Sequence, residues 1–359
     1  MDRELSRRGL LQLGVAGAGV IAWGPLLNNT VRAQEPIVIG FSQRRVAGSD
    51  WYKTLILGAE EEAKKAGAEL VILDANGDTA KQNSDVRTLI TRQVNAVIMN
   101  PSDPTGVGPV VTALDEAGIP LIVVNSNLAP DLAPKALCYV AEDQIATAAK
   151  AGRAIAQEVE QRFGRDEPVK TVVIGGYSGE VVTELRMQGF LQGYAEYFDP
   201  TLATPGAASA AVESGQVANL DLLPVRYGEW LPDKALPQVR DVATANPDLK
   251  LVYSESDVML PGILSALEST GMTEKVVIAS YDGQMSVLKM MIDNPNGPVQ
   301  ADASNEPYKQ GSTAVQLAVK AVRGELDPEV DCPGGNHFID TFIATPETAA
   351  QFYDPSRTF

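Results

Sequence analysis

From Glu35 onward the chain alternates between short, wholly apolar runs and longer stretches with apolar residues at helical spacing. Residues 37–41 read as a strand. Residues 51–66 set Leu55, Leu57, Ala59 and Ala63 among Glu60, Glu61, Glu62, Lys64 and Lys65, an amphipathic helix that Gly67 stops. A strand at 69–73, a helix at 79–93, a strand at 95–99 and a helix at 107–117 follow. Gly118-Ile119-Pro120 then leads into a strand at 121–124. Continuous apolar strands separated by helices predict a parallel sheet covered on both faces. The pattern restarts with a helix at 143–163, a strand at 169–174 and a helix at 181–198. Residues 249–253, 258–269 and 276–280 continue it. We read this as α/β, with two similar lobes. Residues 199–216, rich in Ala, Ser, Gly and Pro and without periodicity, read as a surface loop.

The first 33 residues stand apart. Ser6-Arg7-Arg8-Gly9-Leu10-Leu11 opens an apolar stretch that reaches about residue 27, and Val31-Arg32-Ala33 precedes Gln34. Basic region, apolar region and small-residue cleavage site are the order of an export signal. The paired arginines resemble the twin-arginine address. Cleavage is expected after Ala33, which makes the mature protein exported and soluble in the periplasm. The competing reading is a permanent membrane anchor, but the stretch is interrupted by glycines and short of the roughly 20 apolar residues of a span. No cysteine lies near the cleavage site, which argues against a lipid anchor.

The formal net charge of -17 argues against nucleic acid or an anionic membrane surface as partner. The chain has two cysteines, Cys138 and Cys332, and one histidine, His337. That scarcity closes most routes to zinc sites, Cys-His pairs and Ser-His-Asp triads. In an oxidising compartment a Cys138–Cys332 bridge is expected, the alternative being two buried free thiols. No P-loop and no Rossmann glycine fingerprint is present, so no cofactor is expected. Gly175-Gly176-Tyr177-Ser178-Gly179 lacks the Gly-x-Ser-x-Gly spacing of a nucleophile elbow.

In open α/β sheets ligands bind beyond the carboxyl ends of the strands. The residues there are Ser42 and Gln43, Asp74 and Asn76, Asn100, and Asn125 and Ser126. In the second lobe they are Tyr177 and Ser178, residues 254–257 including Asp257, and Tyr281 and Asp282. Asp74, Ser178 and Asp282 also fit as helix caps. This amide, hydroxyl and carboxylate set, nearly free of lysine, suits a neutral polyhydroxylated ligand. Trp51, Tyr52 and Trp230 are candidate aromatic covers for a sugar ring, or ordinary core residues.

With these residues in place the chain resembles the type I periplasmic binding proteins of ABC transporters, in their ribose/galactose-binding group. The carrying segments include Ile39-Gly40-Phe41-Ser42-Gln43, Trp51-Tyr52, Val97-Ile98-Met99-Asn100-Pro101, Ala117-Gly118-Ile119-Pro120, Arg186-Met187-Gln188-Gly189-Phe190, Ser256-Asp257-Val258-Met259 and Tyr281-Asp282-Gly283. The resemblance implies two Rossmann-like lobes joined by a three-strand hinge, with crossings near 141–143, 304–306 and 335–338. The lobes would comprise residues 34–142 with 305–336, and 143–304 with 337–359. The resemblance also implies stacking on Trp51, hydrogen bonds from Arg186 and Asp257, a hinge contact at Asn305 and a second aromatic at Trp230. The chain departs from ribose binders where Asn125-Ser126 replaces Asp-Arg, where Ser49 stands for a first-loop asparagine, and where Asp241 falls near a second-lobe asparagine. The expected partners are a small sugar, polyol or similar ligand and a transporter permease, the protein being a monomer. The alternatives are a chemoreceptor or sensor kinase as partner, an exported enzyme, and a repressor sharing the two-lobe fold. The last lacks the basic DNA-binding segment it would need.

Overall fold

The computed structural model describes residues 36–47, 49–204, 206–215 and 217–359. The expected export segment, residues 1–33, lies outside the described residues. The first lobe runs β1 (Val38–Gln43), α1 (Asp50–Ala66), β2 (Glu69–Asp74), α2 (Thr79–Thr91), β3 (Ala96–Met99), α3 (Gly108–Glu116), β4 (Leu121–Val124) and β5 (Cys138–Ala141). The second runs α4 (Gln144–Phe163), β6 (Val169–Gly175), α5 (Val181–Phe198), α6 (Ala207–Glu213), β7 (Leu220–Leu222), β8 (Arg226–Tyr227) and α7 (Pro232–Ala245). It continues through β9 (Leu251–Ser254), α8 (Leu260–Ser269), β10 (Val277–Asp282), α9 (Met285–Asp293) and β11 (Val299–Ser304). The chain then returns to the first lobe with α10 (Pro307–Arg323), α11 (Pro328–Asp331) and β12 (Asn336–Phe338), and ends in the second with β13 (Ile343–Ala344) and α12 (Ala349–Phe352).

The first sheet has the order β12-β5-β4-β3-β1-β2, and every pairing in it is parallel. The second has the order β13-β11-β10-β9-β6-β7, with β8 also on β6 and only β13 antiparallel. Both sheets are covered on two faces, which is why their strands are apolar throughout. On β3, Ala96 and Ile98 pack beneath α1 and α10, while Val97 and Met99 pack beneath α2 and α3. On β10, Ile278 faces α7, α8 and α9, while Val277, Ala279 and Tyr281 face α4 and α5. Strand side chains alternate between faces, so each lobe has two cores. Asp78 and Asp143 cap α2 and α4 through the N–H groups of Lys81 and Ala146, which fixes where those helices start.

Two expectations change. The stretch 199–216 is not one loop. It contains α6, whose Ala208 is buried and whose Ser209 accepts bonds from Gln188 and Gln192 of α5. Alanine carries helix propensity without amphipathic periodicity, so the pattern hid it. Second, residues 336–338 are not a crossing. They form β12, an edge strand paired in register with β5, so residues 337 and 338 belong to the first sheet and the chain crosses after Phe338. The expected Cys138–Cys332 disulfide is present and ties the segment before β12 to β5. His337 places Nδ1 2.7 Å from the Asp331 carbonyl oxygen in the same segment. No helix among the described residues is long and apolar enough to cross a membrane.

Candidate ligand-binding site

The carboxyl ends of the strands of both sheets face a cavity of about 440 Å³ between the lobes. The first lobe lines it with Arg44, Arg45, Ser49, Trp51, Tyr52, Asn125 and Ser126. The second contributes Tyr177, Glu180, Arg186, Glu229, Trp230, Ser256 and Asp282, and the hinge adds Asn305. Of the sequence-expected residues, Ser49, Trp51, Asn125, Ser126, Arg186, Trp230 and Asn305 are therefore brought together.

Four expected contacts are corrected. Ser42 and Gln43 are fully buried under the wall. Gln82 Nε2 donates to Ser42 Oγ at 3.1 Å, and Gln43 Oε1 accepts from Asn100 Nδ2 at 2.8 Å and from the Arg44 N–H at 2.9 Å. These residues set the end of β1 and aim the following arginines. Asp257 is turned behind the wall, where its carboxyl accepts from Ser280 Oγ at 2.5 Å and from the Gln284 N–H at 2.8 Å. Asp241 lies on the outside of α7 with its side chain 78% exposed, beside Arg240.

Trp51 sits in the first turn of α1, buried, edge-on to Tyr52 with ring centroids 5.3 Å apart. Its indole Nε1 is buried without a partner among the described residues. Asn125 follows β4 with φ of 65°, a left-handed conformation that asparagine tolerates better than most residues. On the other side Glu229 and Trp230 are both left-handed, with φ of 52° and 57°. They are held by bonds from the N–H groups of Gly228 and Glu229 to the carbonyls of Gly175 and Gly176. The Trp230 ring lies flush on Gly176, where a Cβ would stand 1.9 Å from its Cζ2. Only glycine leaves room for that ring.

Arg186 lines the cavity, but the protein already occupies most of its donors. Nε bonds Gln144 Oε1 at 2.8 Å and Nη1 bonds the Glu255 carbonyl at 2.6 Å. Nη1 also lies 3.4 Å from Asp282 Oδ1, and Nη2 lies 3.5 Å from Glu142 Oε1. The guanidinium stacks over Tyr281, 3.8 Å from the ring centroid. Burial pulls its pKa down, but Tyr281, Asp282 and Glu142 outweigh that and hold it charged. Arg186 thus ties the first crossing, through Glu142, to the cavity floor at Asp282. Asp282 also accepts from Ser256 Oγ at 2.5 Å and from Asn305 Nδ2 at 3.5 Å. Burial raises the pKa of Asp282 and Glu142 despite that arginine.

Sequence reasoning missed Arg44, Arg45, Glu180 and Glu229, and read Asp282 as a cap. The signal for Arg44 and Arg45 was their place directly after the strand-end pair Ser42-Gln43. Glu180 precedes α5 without capping it. Its partners, Arg44 and Trp230, come from distant parts of the chain. Among the described residues no cluster of three or more acids, cysteines or histidines is arranged to hold a metal ion.

The sequence pattern of the periplasmic binding protein domain matches residues 39–326, and the chain belongs to that family. Its fold is the type I periplasmic binding protein fold, with parallel sheets in two lobes. The ribose import binding protein RbsB of Escherichia coli is 27% identical over 268 residues, covering 75% of this chain and 79% of that protein. The D-ribose/D-allose-binding protein of Pseudomonas aeruginosa is 24% identical over 303 residues, covering 83% and 84%. Among solved structures, an ABC transporter solute binding protein from Mycobacterium smegmatis with bound glycerol superimposes with a TM-score of 0.74. It shares 30% identity, and the match covers 90% of this chain and 99% of that one.

Proposed function

We propose that this protein captures a sugar or sugar-like polyhydroxylated molecule between its lobes and delivers it to the permease of an ABC transporter. The observation that carries the reading is the composition of the cavity wall. Aromatic faces at Trp51 and Trp230 accompany amide, hydroxyl and carboxylate groups at Asn125, Ser126, Ser256, Asp282 and Asn305. Ring faces cover the C–H surface of a sugar, and groups that both donate and accept match its hydroxyls. In this reading Asp282 receives ligand hydroxyls, and Arg186 holds Asp282 in place rather than reaching the ligand itself. The names of the relatives, which bind ribose or ribose and allose, support the same class. The protein is a carrier and not a catalyst: the wall residues suit recognition, and the lone histidine is engaged outside the cavity. The twin-arginine-like segment at 1–33 directs the protein to the periplasm, where it works as a monomer.

The test is a thermal-shift screen of residues 34–359 against pentoses, hexoses, deoxysugars and polyols. A ligand that binds only the folded state stabilises it by about 2.7 kcal/mol at a hundredfold excess over Kd. One sugar or a small set of related sugars should raise Tm clearly. A folded protein that ignores the whole panel at millimolar concentration overturns the sugar reading.

A further inference from the structure

The cavity walls carry opposite charges. The first lobe presents Arg44 and Arg45, and the second presents Glu180 and Glu229. Arg44 Nη1 reaches Glu180 Oε1 at 3.4 Å, with both side chains only about one-fifth exposed. Among the described residues this is the only ion pair that spans the cleft. The pairs Arg186–Glu142 and Arg357–Glu306 involve residues of the crossings. Arg44 is fixed on its own lobe: its carbonyl accepts from the Gly77 N–H at 2.7 Å, and Nη1 also lies 3.4 Å from Ser126 Oγ. The second oxygen of Glu180 accepts from Trp230 Nε1 at 2.8 Å. Both carboxylate oxygens are thus in use, one toward each wall.

The ion pair also divides the interlobe space. Beyond it lies a second chamber of about 260 Å³, lined by residues 101–104, Asn127 and residues 178–181. Arg44, Ser126, Tyr177 and Glu180 border both chambers, so the pair stands as a partition between them.

We propose that Glu180 is the positioning residue of the cleft, joining the Trp230 wall to Arg44 of the opposite lobe so that lobe closure and placement of the aromatic wall are one event. Facing charges draw the lobes together before any ligand is present, and that attraction weakens as salt screens it. Trp230 cannot rotate away without giving up its bond to the carboxylate that holds Arg44. Its ring is backed by Gly176, so it is trapped between glycine backbone and Glu180.

The experiment uses no ligand, so the sugar reading can fail while this one stands, and the reverse. Nitroxide labels go on Asp131→Cys in the first lobe and Lys234→Cys in the second. Both native cysteines are in the disulfide and do not compete. Interlobe distances are measured by pulsed electron resonance at low and high salt. The unmutated protein should show a closed population that shrinks with salt. Arg44→Gln and Glu180→Gln should each lower the closed-to-open ratio by about two- to fivefold, the range of partly exposed ion pairs. The swap Arg44→Glu/Glu180→Arg should restore it. In a Trp23→Phe/Trp51→Phe background, Trp230 emission should survive Glu180→Gln, which keeps an acceptor, and shift in Glu180→Arg, which does not. Distances unaffected by salt and by both single variants, or a folded swap that stays open, overturn the proposal.

Discussion

Around Arg186 the fold buries five carboxyl groups, Glu142, Glu255, Asp257, Asp282 and Asp302, against a single guanidinium. Burying charge without a partner is costly, so such groups hold protons instead. Asp302 shows this most clearly. Its Oδ1 accepts from the Gly283 N–H at 3.2 Å, while its Oδ2 has no donor and meets the Asp257 carboxyl. Burial pushes the Asp302 pKa up to about 8 and that of Asp257 well above the carboxylate range, each acid repelling its neighbours. The pair therefore retains a proton in the folded state that the unfolded chain, with carboxyl pKa near 4, has lost. The folded state binds more protons, so stability is greatest below about pH 4 for this pair and declines as pH rises toward about 8. Asp302→Asn mimics the protonated acid. It should flatten the decline in urea-unfolding free energy between pH 5 and 8 by up to about 1.4 kcal/mol per pH unit, one proton's worth. Parallel pH profiles for variant and parent would show that Asp302 is ionised in the fold. Glu255, Asp257 and Asp282 are readable from sequence as strand-end acids, whereas Asp302 lies within β11. The burial of all five together is not readable, because it depends on which crossings and helices close over them.

At the scale of elements, the strands that carry the site were readable because two covered faces demand unbroken apolar runs, as in Ala96-Val97-Ile98-Met99. The two-residue and three-residue edge strands were not, since β12 and β13 are too short to set a period. The strand-end rule found Asn125 and Ser126, whose side chains project from their own loop. It missed Glu180, whose role exists only once the lobes face each other. Helix α10 illustrates a different limit: its partner is 250 residues away in sequence and only packing reveals it. It crosses α1 backbone to backbone, where a Cβ on Gly311 would lie 2.0 Å from the Leu55 carbonyl oxygen and one on Gly58 would lie 2.1 Å from that of Tyr308. No side-chain motion relieves a clash with backbone, so Gly311→Ala must push the helices apart. We expect it to cost about 1–3 kcal/mol in urea unfolding, as overpacked core sites do. Because α1 starts at the cavity with Trp51, the same variant should shift Trp51 emission in a Trp23→Phe/Trp230→Phe background. An unchanged urea midpoint and spectrum would mean that the two helices are not in contact at these glycines.

At the scale of the whole molecule, three crossings let each lobe be discontinuous in sequence, and the disulfide acts on that topology. Cys138 on β5 and Cys332 after α11 are 194 residues apart, and the loop they close contains the entire second lobe up to β11. Both cysteines are buried in the core of the first lobe, beside β5 as it leads into the first crossing and near β12 as it leads into the third. The bridge therefore holds the strands that lead into two of the three crossings side by side, with both of its ends in the first lobe. Closing so long a loop removes much of the unfolded chain's freedom; the chain-entropy account gives about 5 kcal/mol at this length, and loss of a native disulfide typically costs about 2–5 kcal/mol. Reduction should lower the urea-unfolding free energy by that amount. Cys138→Ala/Cys332→Ala should lower it by a similar amount plus a smaller cost for lost sulfur packing. Comparing the reduced parent with the double variant separates cross-link from cavity, since both lack the bond and only one lacks the atoms. Because both partners lie in the first lobe, the loss should leave the interlobe distances of the folded protein unchanged. A reduced protein as stable as the oxidised one would assign the stability of this chain to its four packed cores alone, with the bridge contributing nothing to it.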